Sequence, residues 1–244
     1  DVIGHKVFGL CDHINCVSRA TMESTIPEEY RDKAGVTYNG VDTSLYRPGL
    51  DPSELRERLG LGPGPVILSN GRLVEQKGFT TLLDAMRTVR EAIRDAQLVI
   101  IGRGPLRDDL ERKAASLGMR DALRFVSGIP ENMMPLYYNM AEVFTLPSYY
   151  EPSAVVLYEA LGCGKPIVAT SAGGNPEIVS PESGRIVLPR DTEALAEALM
   201  ELLGDANLRL SMGRCARSRA ETMFDWSVIA KDWDKVYREV AGKV

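Results

Sequence analysis

The chain has little of what redox, metal or histidine chemistry uses. Only two of its 244 residues are histidine, His5 and His13, so a histidine base or relay cannot come from residues 14–244. The four cysteines, Cys11, Cys16, Cys163 and Cys215, form no Cys-x-x-Cys pair and no regular framework, which fits reduced, cytosolic thiols and an expected cytoplasmic location. His5, Cys11, His13 and Cys16 are close in sequence, but their spacing matches no standard ligand set and the segment reads as a strand, so no metal is expected there. No apolar run approaches the roughly 20 residues of a membrane span, and no signal peptide opens the chain. A net charge of −5 without a basic stripe argues against nucleic-acid binding, so any anion site is local. Repeats and low-complexity tracts are absent. An initiating Met is also missing, and Asp1-Val2-Ile3 reads as mid-protein sequence; a fragment of a longer protein is expected.

What is present is an alternation of short apolar runs and amphipathic helices. Ser18 can cap a helix to about Ile26, which Pro27 ends, and residues 36–42 read as a short strand closed by an Asn-Gly turn. The Gly and Pro cluster from Leu59 to Pro65 reads as a loop. From Pro65 onward strands are expected at 66–68, 98–101, 123–126, 143–146, 167–169 and 185–188. Between them lie helices at about 78–94, 105–117, 131–140 and 152–162. Three helices, about 191–203, 205–222 and 226–241, close the chain with no strand between them. The order predicts an α/β doubly wound parallel sheet, Rossmann-like, with its ligand at the carboxyl ends of the strands.

The stretch Ser148 to Thr170 organises this reading. Pro152 suits a first helical position and the glycines at 162 and 164 stop the helix. The N–H groups of Ser153, Ala154 and Val155 would then be open at the first turn, where the helix dipole favours an anion. Glu151 lies just before that point, and Glu159 lies on the order of 9 Å along the helix from Ser153 at 1.5 Å per residue. Two carboxylates thus bracket a phosphate-sized gap. An extended molecule with a central diphosphate and hydroxyl-bearing sugars at both ends would fill it. The loop after the first buried strand, Asn70 to Gly78, adds Gly71 for close backbone approach and the cations Arg72 and Lys77. Cations at a helix start oppose its dipole, so a bound anion explains them. Gly102-Arg103-Gly104 ends the second strand, but Arg107 stands where a dinucleotide fingerprint needs its third glycine, so NAD is not expected. Asp232-Trp233-Asp234 reads as a solvated helix face.

These strings resemble the family 4, or group 1, retaining glycosyltransferases of GT-B fold. The likeness is carried by Glu151-x7-Glu159 with Ala160-Leu-Gly-Cys-Gly-Lys-Pro-Ile-Val-Ala-Thr170, by Gly173 to Val179, by Gly71-Arg72-Leu73-x3-Lys77-Gly78 and by Gly102-x-Gly104-Pro105. It implies that Arg72 and Lys77 hold a donor diphosphate, Glu151 the donor sugar, Glu159 the ribose and the backbone of Ile129 the base edge, with Gly102 and Gly104 near the nucleoside. It also makes residues 1–46 a remnant of an amino-terminal acceptor domain and the interdomain crossing, and residues 47–244 the donor domain with a final cross-over helix. The apolar face of that helix, Trp226, Ile229, Trp233 and Val236, is expected to be partly uncovered. Ala154 departs from the glycine of many relatives. The expected activity is metal-independent transfer, with no cofactor, from a UDP-, GDP- or ADP-sugar to an unidentified acceptor; any peripheral membrane association falls to the absent half, and the fragment alone is expected to be inactive. A sugar-nucleotide epimerase or hydrolase on the same fold, or a non-catalytic binding module, are the alternatives.

Overall fold

The structure is a computed structural model that describes residues 2–242. It opens with α1 (Val2–Leu10), β1 (Ile14–Cys16), α2 (Arg19–Thr25), β2 (Ala34–Val36) and α3 (Ser53–Arg58). The β/α alternation follows, as β3 (Val66–Asn70), α4 (Phe79–Ala92), β4 (Gln97–Ile101), α5 (Arg107–Ser116), β5 (Leu123–Val126), α6 (Met134–Met140) and β6 (Val143–Leu146). It continues with α7 (Val155–Gly162), β7 (Ile167–Thr170), α8 (Asn175–Ile178), β8 (Gly184–Val187), α9 (Thr192–Gly204), α10 (Ala206–Arg219) and α11 (Trp226–Ala241). β1 and β2 form a small parallel pair, while β3 to β8 form one six-stranded parallel sheet in the order β5-β4-β3-β6-β7-β8.

The central strands β3, β4, β6 and β7 are covered on both faces and are mostly apolar, whereas the edge strands β5 and β8 are partly exposed and each carries an arginine, Arg124 and Arg185. Val66, Leu68, Val99 and Phe144 point to one face, where α6 and α7 contribute Tyr138, Leu157, Tyr158 and Leu161. Ile67, Leu98, Ile100 and Val143 point to the other, against Leu82, Leu83 and Met86 of α4 and Leu195, Leu199 and Leu202 of α9. Because the chain winds outward from β3 in one direction and then returns to lay β6 on its other side, the sheet has its switch point between these two strands. A ligand crevice opens outside the carboxyl ends of the strands there.

Four expectations are corrected. Residues 2–10 are helical, and only Ile14–Cys16 is a strand. Asn39-Gly40 closes no strand: β2 ends at Val36, and the Trp226 ring lies so close to Gly40 that an added Cβ would stand 2.5 Å from it. The helix expected from Pro152 begins at Val155, because the carbonyls its first turn would use are taken. That of Glu151 accepts from Gly174 N at 3.1 Å, and that of Pro152 from the Ser18 hydroxyl at 2.7 Å. The short helices α3 and α8 fall in stretches for which no helix was expected. On α11, Ile229 is buried while Trp226 and Tyr237 are 51% and 66% exposed. No helix among the described residues is long and apolar enough to cross a membrane.

Candidate functional site

The loop 71–78 after β3 and the loop 147–154 after β6 meet at the switch point. The Lys77 ammonium pairs there with the Glu151 carboxylate, although 74 positions separate them in sequence. Glu151 is buried, and the Ser148 hydroxyl also donates to its Oε1 at 3.3 Å. Behind Ser148 a run of buried bonds reaches α8: Thr170 Oγ1 donates to Ser148 O at 2.5 Å and Asn175 Nδ2 to Thr170 O at 3.1 Å. Burial, and after it the Arg72 charge, push the Lys77 amine below its ordinary value. Arg72 is exposed and, among the described residues, has no ion-pair partner. One committed and one uncommitted cation therefore lie on the same loop, near enough for the charge of one to bear on the other.

Above this pair stands the start of α7. Ala154, with φ −81° and ψ 107°, occupies the cap position, and the first bonded N–H is that of Leu157, to Ala154 O at 3.0 Å. The helix thus opens on the N–H groups of Val155, one of the three expected donors, and of Val156, a ready anion site. Ser153 lies in the preceding loop, its Oγ accepting from Asn39 Nδ2 at 3.2 Å and 3.0 Å from the Tyr158 hydroxyl. That phenol is pushed up to about 12, first by burial.

Glu159, one turn along α7, is held apart from the ion pair. Its Oε2 accepts from the Tyr138 hydroxyl at 2.5 Å, and Tyr46 also donates to the carboxylate. Burial raises the Glu159 carboxyl above its ordinary value, and these two hydroxyls pull it back. The Glu131 charge reaches both Glu159 and Tyr46, which brings the loop around Ile129 to the same end of the site. Ile129 packs its side chain against the core between Gly128 and Pro130.

Gly102 and Gly104 belong to the wall of this site. A Cβ at 102 would stand 2.0 Å from Gly71 O, and one at 104 would stand 2.4 Å from Leu73 O. Bonds from Gly71 N to Ile101 O, Leu73 N to Arg103 O and Leu106 N to Leu73 O zip the two loops together. The Lys77 stem in turn passes Gly71, whose added Cβ would lie 3.5 Å from Lys77 Cδ. A recess of about 720 Å³ beside α5 and β5 lies instead on the outer edge of the sheet. Its arginines are mostly engaged already: Arg107 with Glu111 and the Phe125 ring, Arg112 with Asp109, Arg124 with the carbonyls of Leu59 and Gly60.

Sequence reasoning missed Tyr46, Tyr138 and Ser148, which hold the two glutamates. It also missed Glu177, whose carboxylate accepts from Arg19 N, Ala20 N and Tyr38 OH at 2.8–2.9 Å and ties the early segment to the large sheet. Ser148 and Glu177 lay inside strings already singled out; Tyr46 and Tyr138 gave no local signal. Asp232 and Asp234 pair with Lys235 and Arg238 as surface helix residues.

The family profile described as "Glycosyl transferases group 1" matches residues 52–219. The chain belongs to the group 1 glycosyltransferases. Over 196 residues it is 35% identical to the GDP-mannose-dependent alpha-(1-6)-phosphatidylinositol monomannoside mannosyltransferase of Mycolicibacterium smegmatis, covering 77% of this chain and 51% of that protein. The chain therefore spans about half the length of this group 1 relative. Among solved structures, sucrose-phosphate synthase from Thermosynechococcus elongatus superposes with a TM-score of 0.88 at 27% identity, over 100% of this chain and 62% of that one. Anabaena Alr3699/HepE, in complex with UDP and glucose, superposes with a TM-score of 0.87 at 24% identity, over 97% and 66%. The fold is a doubly wound, six-stranded parallel sheet of the kind found in the GT-B glycosyltransferases.

Proposed function

We propose that this chain forms the donor half of a retaining, metal-independent glycosyltransferase. Residues 47–244 hold a nucleotide diphosphate sugar, and residues 1–46 belong to the acceptor side and the crossing between domains. The observation that carries this reading is the meeting of Lys77 and Glu151 at the β3/β6 switch point, with Arg72 on the same loop and the open start of α7 beside them.

In this arrangement the diphosphate lies against the N–H groups of Val155 and Val156, gripped by Arg72 and Lys77. As the bond from the anomeric carbon to the diphosphate lengthens, negative charge builds on the leaving oxygens. Two cations and a helix terminus already aimed at that charge stabilise it, and they supply locally what a divalent ion supplies elsewhere. Glu151 is freed to accept a sugar hydroxyl once phosphate takes over Lys77, and Glu159 accepts from the ribose. The backbone at Ile129 meets the base edge. UDP, GDP and ADP sugars all suit these contacts; the 35% identical relative named as GDP-mannose-dependent supports GDP-mannose as the first donor to try. No residue of this chain identifies the acceptor.

The test is calorimetric titration with UDP, GDP and ADP of the wild type and of a variant carrying Arg72→Ala and Lys77→Ala. Charged hydrogen bonds of this kind are each worth about 1.5–3 kcal/mol, so one nucleotide should bind the wild type and lose at least about tenfold in affinity in the variant. Equal affinities would remove the reading.

A further inference from the structure

Arg190, in the loop between β8 and α9, is the one non-glycine residue among those described with φ in the left-handed region, at 69°. A side chain with a Cβ meets steric strain there, and arginine lacks the short polar group by which Asn or Asp offsets it. Such an outlier persists where surrounding contacts hold it. The Arg190 guanidinium lies over the Tyr149 ring, 3.9 Å from its centroid, and 3.7 Å from Glu75. The Arg190 and Glu75 side chains are 64% and 81% exposed, so their ion pair contributes little and the stack is the contact that matters.

What the stack fastens is the pair of loops that form the site. Tyr149 N donates to Gln76 O at 2.7 Å, and its hydroxyl shares a 2.7 Å hydrogen bond with Thr81 of α4. Gln76 is next to Lys77, and Tyr149 stands two residues before Glu151. Arg190 thus reaches from a third loop across the seam that presents the ion pair.

We propose that Arg190 is a positioning residue of the donor site: its stack on Tyr149 presses the 147–154 loop onto the 71–78 loop and so sets the placement of Lys77 and Glu151 that a nucleotide diphosphate meets. This rests on the donor-site reading above.

The test combines thermal unfolding with titration of UDP, GDP and ADP into the full chain, wild type and variants. In Arg190→Gly the backbone strain disappears with the stack, so the melting temperature should hold or rise while nucleotide affinity falls three- to tenfold. Arg190→Lys keeps the charge and the strain without the planar group, and should lose affinity as well. Tyr149→Ala should reproduce the loss, and the double variant Tyr149→Ala, Arg190→Gly should lose little beyond either single one. A plain structural role would lower melting temperature and affinity together in Arg190→Gly, and that result overturns the proposal. So does Arg190→Gly with wild-type affinity. A wild type that binds none of UDP, GDP and ADP overturns the donor-site reading and this one together, whereas wild-type binding with an unaffected Arg190→Gly overturns this one alone.

Discussion

At Glu159 two physical effects oppose each other. Burial raises its pKa, and the Tyr138 and Tyr46 hydroxyls, which bond the ionised form, lower it. On the proposed reading only the ionised carboxylate is a full acceptor for ribose hydroxyls. Nucleotide affinity should therefore fall as pH drops through the Glu159 pKa, at a midpoint above the ordinary glutamate range. Removing the Tyr138 hydroxyl removes a bond to the charged form, so the pKa rises further. In Tyr138→Phe the acid limb should move to higher pH, and in Glu159→Gln it should vanish. Titrations over a pH series check this, and a limb that moves to lower pH in Tyr138→Phe would contradict the assignment. The identities of Arg72, Lys77, Glu151 and Glu159 were legible because they sit in short strings with a chemical logic of their own. Tyr46, Tyr138 and Arg190 were not, because each acts through a residue brought near only by the fold: the Tyr138 hydroxyl meets a carboxylate 21 positions away, and Arg190 stacks on a ring on the far side of β7 and β8.

The elements show where local pattern suffices and where it fails. Apolar runs bounded by turn residues placed all six strands of the large sheet, most plainly the four central ones, since strands covered on both faces admit little else. Helix α7 was legible in its body but not at its start. Pro152 is compatible with a first helical turn, yet the Glu151 and Pro152 carbonyls are drawn off by Gly174 and Ser18, partners distant in sequence. The loops are held as a pair by steric necessity, and this gives a prediction at the same scale. A Cβ at Gly104 would stand 2.4 Å from Leu73 O and force the 102–106 segment off the 71–73 loop. Gly104→Ala should cost about 1–3 kcal/mol, as other insertions into filled space do. With roughly 2–4 °C per kcal/mol for a chain of this size, a thermal melt should show a drop of several degrees, and nucleotide affinity should fall with it. An unchanged melt would mean that the loops yield freely.

For the whole molecule, one fact of topology places every candidate residue. Winding outward from β3 and returning to β6 opens a crevice at the carboxyl end of the sheet, and the loops that leave β3 and β6 there carry Lys77 and Glu151. Strand order of this kind was legible as a class, from the alternation of runs and helices. The links between the early segment and the large sheet were not: Glu177 against Arg19, Ala20 and Tyr38, Ser18 against Pro152, and Trp226 over Gly40 join positions more than 130 apart with no local signature. The central claim is that a diphosphate settles between the two cations and the start of α7. Backbone amide NMR during titration with GDP and UDP tests it most directly. The account predicts the largest shifts at Val155, Val156 and the 71–78 loop. Shifts confined to the recess around Arg120 and Arg124, with those amides unmoved at saturation, would contradict it.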